Sequence, residues 1–359
     1  MVYTAYSIVV LLFMVTVGIS LVFLILFTTE NTKEVFIENS FLLFTIFNGW
    51  VKALIVFLRR KDIKLLLEGL LEDQCQPLDS AELEIQKKID KGARNLTLRY
   101  STLVGICLTV QYMGVVFCNG DEKIEFLNVW RPYNLKVNVY YWITWVHEFL
   151  GHIVTATVHV AVDTLIPGLM IQLSCQLKFL RHRLKRIPRR TENILRADVG
   201  KRNVLERYLI SATVRHQNII YGYSKKLNKT FEEVLFIQFL VSLIVICFSV
   251  FNISKGGSTN YTTLIMLYTY IGCMLSQLYL YCFYGNELMI CSTDFQEAIS
   301  ETNWVSFEEE TKKSLIILMI RSRKPILISV CYVISVNLEF FMLIVRASYS
   351  AYNVLKDSV

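Results

Sequence analysis

Seven stretches of this 359-residue chain are apolar runs of bilayer-spanning length, and nothing else in the sequence constrains it as strongly. A helix needs about 20 apolar residues to cross the hydrocarbon core. The runs are Ser7–Phe27, Phe41–Leu58, Tyr100–Phe117, Val137–Val162, Val234–Ile253, Leu264–Tyr284 and one that begins at Pro325 and reaches Val345. In lipid every backbone polar group must find its partner within the protein, so such runs are helices. The predicted fold class is all-α, a polytopic membrane protein with seven transmembrane helices. The first run is read as a span and not a secretory signal, because no Lys or Arg precedes it and Thr28–Thr29–Glu30 is a poor cleavage site.

Charge orients the spans. Of the 37 lysines and arginines, 29 fall in the second-to-third, fourth-to-fifth and sixth-to-seventh connections. The other three loops and the segment from Arg346 hold 7, and Lys52 lies inside the second span. Basic connections stay cytoplasmic, which predicts a cytoplasmic N-terminus and an extracellular C-terminus. The net charge of +7 follows from this asymmetry and is no nucleic-acid footprint.

Two apolar stripes leave the membrane. Leu169, Leu173, Leu177, Leu180 and Leu184 continue the fourth span at helical spacing until Pro188, which is expected to end the helix. Leu205, Leu209, Ala212, Ile219, Tyr223, Leu227 and Phe231 lead into the fifth span. Both stripes require partners, within the chain and between subunits. The nine cysteines include no CxxC and are expected to be free, mostly buried thiols.

Nothing in the sequence supports an enzyme or a bound cofactor. His147, Glu148 and His152 form HExxxH, not the zinc-protease HExxH, and side chains five apart on a helix diverge by about 140°. No metal site is expected there. His152, His159 and Asp163 share one helix stripe, which suits hydrogen bonding inside a bundle. The outer halves of spans two, three, four and six combine apolar walls with sparse polar groups, the composition of a small-molecule pocket. Phe41, Phe44 and Thr45 come from span two, and Gln111, Tyr112 and Val115 from span three. Trp145, Phe149 and Leu150 come from span four, and Tyr268, Ile271 and Met274 from span six. Near the C-terminus Tyr349, Tyr352, Asn353 and Lys356 fall on one helix face, as pore-lining side chains or as an interfacial aromatic belt.

Several blocks resemble the insect odorant receptors. They are FNGWVKALIVFLRRKDIKLLLEGL (47–70), VDTLIPGLMIQLSCQLKFLRHRL (162–184), QLYLYCFYGNEL (277–288) and the NW…KKSLIILMIRSRKP…LEFF…ASYS series (303–350). The related gustatory receptors end in a Thr-Tyr…Gln-Phe pattern, and SYSAYNVL here has no Gln-Phe. The resemblance implies a tuning subunit of a tetrameric odorant-gated cation channel, partnered by a co-receptor subunit, a volatile odorant and the lipid bilayer of the plasma membrane, with no nucleic acid. It implies spans one to four in 1–163, a cytoplasmic helical extension in 164–233 and spans five and six in 234–285. An anchor helix and connection then occupy 286–337, and the pore-lining last helix 338–359, starting near Leu338. Ser300 and Val305 stand where the family often has tyrosines, and Tyr352 and Lys356 where it has small aliphatic residues near the gate. A G-protein-coupled receptor, the alternative, needs the opposite orientation, and neither Asp-Arg-Tyr nor Asn-Pro-x-x-Tyr stands at the expected place.

Overall fold

The computed structural model describes residues 12, 14–20, 22–23, 32–118, 138–192, 199–255, 261–302, 304, 307–331 and 334–358. The rest of the first span and residues 119–137 and 256–260 lie outside them. Helices dominate. They are α1 (Thr32–Leu58), α2 (Arg60–Gly69), α3 (Ser80–Cys118), α4 (Asn138–Glu192), α5 (Val199–Lys255), α6 (Tyr261–Glu301), α7 (Glu309–Ser322) and α8 (Leu338–Ser358). Among the described residues, four helices are long and apolar enough to cross a membrane, beginning at Ser40, Val139, Gly200 and Leu264.

Helical periodicity explains how these long elements hold together. In α4 the buried positions Val162, Ile166, Leu169, Leu173, Leu177, Leu180, Leu184 and Ile187 recur every three or four residues. Buried positions on α5 (Ile210, Ile220, Leu227, Phe231, Val234 and Leu235) and on α6 (Leu278, Cys282, Leu288, Phe295 and Ile299) join them. These stripes meet in one core that also takes in Ile63 and Leu66 of α2 and Leu315 and Leu318 of α7. Packing inside the chain therefore covers the protruding leucine stripe of α4. Exposed apolar side chains include Ile316, Ile317 and Ile320 on α7, and Met342 and Leu343 on α8.

Two expectations about helix ends are corrected. Pro188 does not terminate α4, which continues to Glu192. A proline forfeits one backbone bond and crowds the preceding turn, but Leu184 and Ile187 are both buried and keep that turn packed. The apolar run from Pro325 to Val345 is not one helix. Pro325–Ile328 is irregular, and Ser329–Val330 (β1) pairs antiparallel with Ile334–Ser335 (β2) before α8 begins at Leu338. Asn337 starts α8, its side-chain oxygen accepting from the Phe340 N–H at 2.9 Å.

That short hairpin crosses α6 at Gly285. A Cβ built there would stand 2.2 Å from the Val336 carbonyl oxygen. The closeness is to backbone, which has no rotamer with which to retreat. Gly285→Ala is expected to lower thermal stability by about 1–3 kcal/mol, the range for overpacking, measured as the melting temperature of the purified protein. An unchanged melting temperature would mean that the crossing sits farther from α6.

The segment before α3 is tied to α4 by charge. Arg183 grips Glu82 with two parallel bonds, Nε to Oε1 at 2.9 Å and Nη2 to Oε2 at 2.8 Å. It also donates to the carbonyls of Gln74 and Gln76. Asp79 accepts from the backbone N–H of Glu82 and faces His182 and Arg186, so its carboxyl is held below the usual range, first by that backbone bond and then by the cations. Asp79, Glu82 and His182 converge closely enough to suggest a metal site. The two arginines already neutralise the carboxylates, and the group acts as a clasp between segments.

Candidate functional site

A cavity of about 80 Å³ lies between α1, α3, α4 and α6. It sits toward the N-terminal ends of α1, α4 and α6 and the C-terminal end of α3. That is one end of the bundle, opposite the basic connections. Its apolar wall includes Leu42, Ile46, Val104, Leu108, Ala156 and Met274; its polar lining includes Thr45, Gln111, His152 and Tyr270. Tyr270 hydrogen-bonds Thr45, whose hydroxyl donates to the Phe41 carbonyl at 2.7 Å.

Of the residues singled out in the sequence, Thr45, Gln111 and Met274 line this cavity. Phe41 and Phe44 pack beside it against the cluster of Cys107, Val241, Val245, Tyr270 and Cys273. Tyr112, Trp145 and Phe149 form an aromatic group next to it. The Tyr112 ring stands edge-on to Trp145 at 5.8 Å and to Phe149 at 4.9 Å. The Tyr112 hydroxyl is 2.6 Å from Nδ1 of His152, a cavity-lining residue. Ile271 is half-buried off the cavity, while Leu150 and Tyr268, 42% and 62% exposed, are on the outer surface. The side chain of Val115 is outside the described residues.

Sequence reasoning passed over Tyr270, Cys273 and Gln277, the face that α6 turns to the cavity. Tyr268 and Ile271 lie on a different face from Gln277. A buried amide in an apolar helix was the available signal, because a polar group at membrane depth must face protein.

Beneath the cavity lies a buried polar network. Lys52 Nζ donates to Asp163 Oδ1 at 2.5 Å, and both side chains are wholly buried. Tyr281 donates to the same oxygen at 2.6 Å. Tyr100 donates to Oδ2 at 3.3 Å; the Gln277 amide donates to that oxygen too. His159 Nδ1 accepts from Lys52 at 3.2 Å, which leaves Nε2–H to donate to the Thr45 carbonyl at 3.1 Å. Gln277 also approaches Gln238 of α5, which accepts from Asn48 of α1 at 2.7 Å. Five helices meet through this network. The histidine stripe is thus absorbed into helix-to-helix bonding. His147 points elsewhere, toward Thr16 at 3.1 Å.

From the network an aromatic chain leads to the last helix. The Tyr281 ring is 6.1 Å from that of Phe239, which stands edge-on to Phe340 at 5.0 Å. On α8, Tyr349 is exposed, its ring 6.0 Å from that of the half-buried Tyr352; Asn353, Lys356 and Arg346 are exposed.

Apolar helices, a small cavity at one end of the bundle and a buried ion pair below it define a helical membrane protein. The fold matches that of the insect olfactory receptor OR5 from Machilis hrabei, solved with and without eugenol. For the eugenol complex the TM-score is 0.85 at 14% identity, over 99% of this chain and 90% of that one. For the other structure it is 0.83. The family described as "7tm Odorant receptor" matches residues 31–349. Odorant receptor 9a of Drosophila melanogaster is 24% identical over 281 residues, 77% of this chain and 68% of that relative. Odorant receptor Or1 of Anopheles gambiae is 24% identical over 263 residues, 66% of this chain and 61% of that relative. Odorant receptor 33a of Drosophila melanogaster is 25% identical over 297 residues, 81% and 75%. The chain belongs to the insect odorant receptor family, a family of membrane receptors and not of enzymes.

Proposed function

We propose that this receptor is the odorant-binding, tuning subunit of a heteromeric odorant-gated cation channel in the plasma membrane of olfactory neurons. The observation that carries the reading is the largely apolar cavity between α1, α3, α4 and α6, joined through Asp163, Tyr281 and Phe239 to the last helix. Seven spans, a cytoplasmic N-terminus and an extracellular C-terminus complete the reading. Their support is the distribution of Lys and Arg along the chain.

In this mechanism an odorant binds better when the channel is open and shifts the closed–open balance. A 100-fold preference for the open state supplies about 2.7 kcal/mol per site. The ligand-facing set is Phe41, Phe44, Thr45, Gln111, Tyr112, Val115, Trp145, Phe149 and Met274. Tyr349, Tyr352, Asn353 and Lys356 face the pore. The exposed isoleucines of α7 suit contact with neighbouring subunits in a shared cytoplasmic anchor that includes 164–233 and 286–337. The co-receptor supplies the other subunits.

Expression in a non-neuronal cell, alone and with the family's co-receptor, tests the reading with G-protein signalling blocked. A prompt cation current to volatile compounds only in co-expressing cells is expected. Tyr112→Ala or Phe149→Ala should shift odorant sensitivity and leave surface assembly intact. Current that disappears when G proteins are blocked would overturn the channel in favour of a G-protein-coupled receptor.

A further inference from the structure

Two thiols share the wall of the cavity. Cys107 of α3 and Cys273 of α6 both line it, and among the described cysteines no other does. Both belong to one packed cluster with Val241, Val245 and Tyr270, and they are 5% and 8% exposed. Their thiols lie within hydrogen-bonding reach of each other, across the seam where α3 packs on α6. Both are free, not joined as a disulfide. Cys282 and Cys291 are buried instead in the main core. A buried free cysteine ordinarily acts as a small apolar filler. Two in contact on different helices have a chemistry that one lacks.

We infer that Cys107 and Cys273 form an oxidation site, at which hydrogen peroxide converts the pair to a disulfide that fastens α3 to α6. One thiol, as its thiolate, attacks a peroxide oxygen, breaks the O–O bond and becomes a sulfenic acid, releasing water. The second thiol then displaces the hydroxyl from that sulfur, forming the S–S bond and releasing a second water. The pair gives up two electrons and two protons, and the peroxide takes up both. Contact between the thiols makes the second step intramolecular. A disulfide needs Cβ atoms about 3.5–4.5 Å apart, and thiols that already meet across two helices stand nearest that geometry. The cavity, about 80 Å³ and largely apolar, admits a neutral molecule the size of two waters. It excludes glutathione, a charged tripeptide, so the disulfide outlasts its oxidant. In the proposed orientation the cavity lies toward the outer end of the bundle, the side on which disulfides persist. The consequence for odorants rests on the proposed pocket: a bond between α3 and α6 holds two of its walls at one spacing.

The test treats the purified full-length receptor in lipid nanodiscs with hydrogen peroxide. The chain is then denatured, its free thiols are alkylated, and its peptides are identified by mass. A peptide pair joined through Cys107 and Cys273 is expected, and dithiothreitol added before alkylation should abolish it. The two cysteines should lose alkylation together, about 10-fold faster than Cys282 and Cys291, because thiols open to the oxidant react before enclosed ones. Cys107→Ser and Cys273→Ser each leave one sulfur, which should stop at the sulfenic acid and take up a dimedone tag. Absence of the linked peptide overturns the inference. So does a linkage of either cysteine chiefly to another one, and so does oxidation no faster than that of Cys282. The unaltered receptor decides all three outcomes even where a serine variant fails to fold. Odorant-evoked currents before and after peroxide separate this chemistry from the pocket reading. The half-maximal odorant concentration should shift about 5-fold or more in the unaltered receptor, the lower range of coupling between sites, and stay in place in either serine variant. A cross-linked receptor with an unshifted response keeps the disulfide and overturns the placement of the odorant between α3 and α6.

Discussion

Replacing Asp163 with asparagine is expected to remove the receptor from the cell surface, and replacing Lys52 with methionine is expected to cost distinctly less. Asp163 accepts from Lys52, Tyr100, Tyr281 and Gln277. Loss of its charge leaves the Lys52 ammonium buried without a counter-charge, and weakens bonds to three helices together. Breaking a buried pair from one side costs about 3–5 kcal/mol, a large share of the 5–15 kcal/mol that holds a typical domain folded. Methionine at 52 leaves a carboxylate that still meets three donors, the setting in which a buried anion is best tolerated. Combining Lys52→Met with Asp163→Asn removes both charges and should recover part of the surface signal. Surface labelling against total protein reads the effect, and equal losses for the two single variants would contradict the asymmetry. The network would then be held as a unit, with no member dominant.

The second large effect is expected at Phe239. This α5 ring is 5% exposed, in edge contact with Tyr281 on one side and Phe340 of the last helix on the other. Phe239→Ala opens a cavity and costs about 3–5 kcal/mol. It does so at the joint between the polar network and α8, where Phe340 loses its neighbour. The maximal odorant-evoked current, normalised to surface protein, should fall severely, while the ranking of odorants by affinity stays as it was. Phe239→Leu, which refills most of the volume, should restore much of the current. An altered ranking would place Phe239 in odorant recognition instead.

Much of this architecture was legible in the sequence because it depends on periodicity and on the cost of charge in lipid. The leucines at 169, 173, 177, 180 and 184 announce a long buried helix face before any contact is known. The C-terminal half was harder. Pro325–Val345 has the length and hydropathy of a span, and hydropathy alone cannot register that a hairpin at Ser329–Ser335 interrupts it. What marks the break is Asn337, a cap whose bond to Phe340 starts a new helix. The cavity was legible as a set of helices more than as a set of residues. Thr45, Gln111 and Met274 reach it, but Tyr268 and Leu150 face outward, because the rotation of a helix about its own axis is settled by its neighbours. Lys52 and Asp163 were each conspicuous as charges at or beside apolar runs. Their pairing depends on two helices lying side by side, which one chain's periodicity does not report.

Helix α5 runs 57 residues without a proline, roughly 85 Å of continuous rod. Along that rod Gln217 bonds Ser322 at the end of α7, Gln238 enters the polar network, and Leu243 offers its carbonyl to Ser348 of α8. One helix thus ties the end of α7, the polar network and the last helix together. Sensitivity and selectivity then have separate genetic addresses. In the proposed channel, substitutions far toward the α7 end of α5 would change the odorant concentration needed for opening and leave the cavity lining as it is.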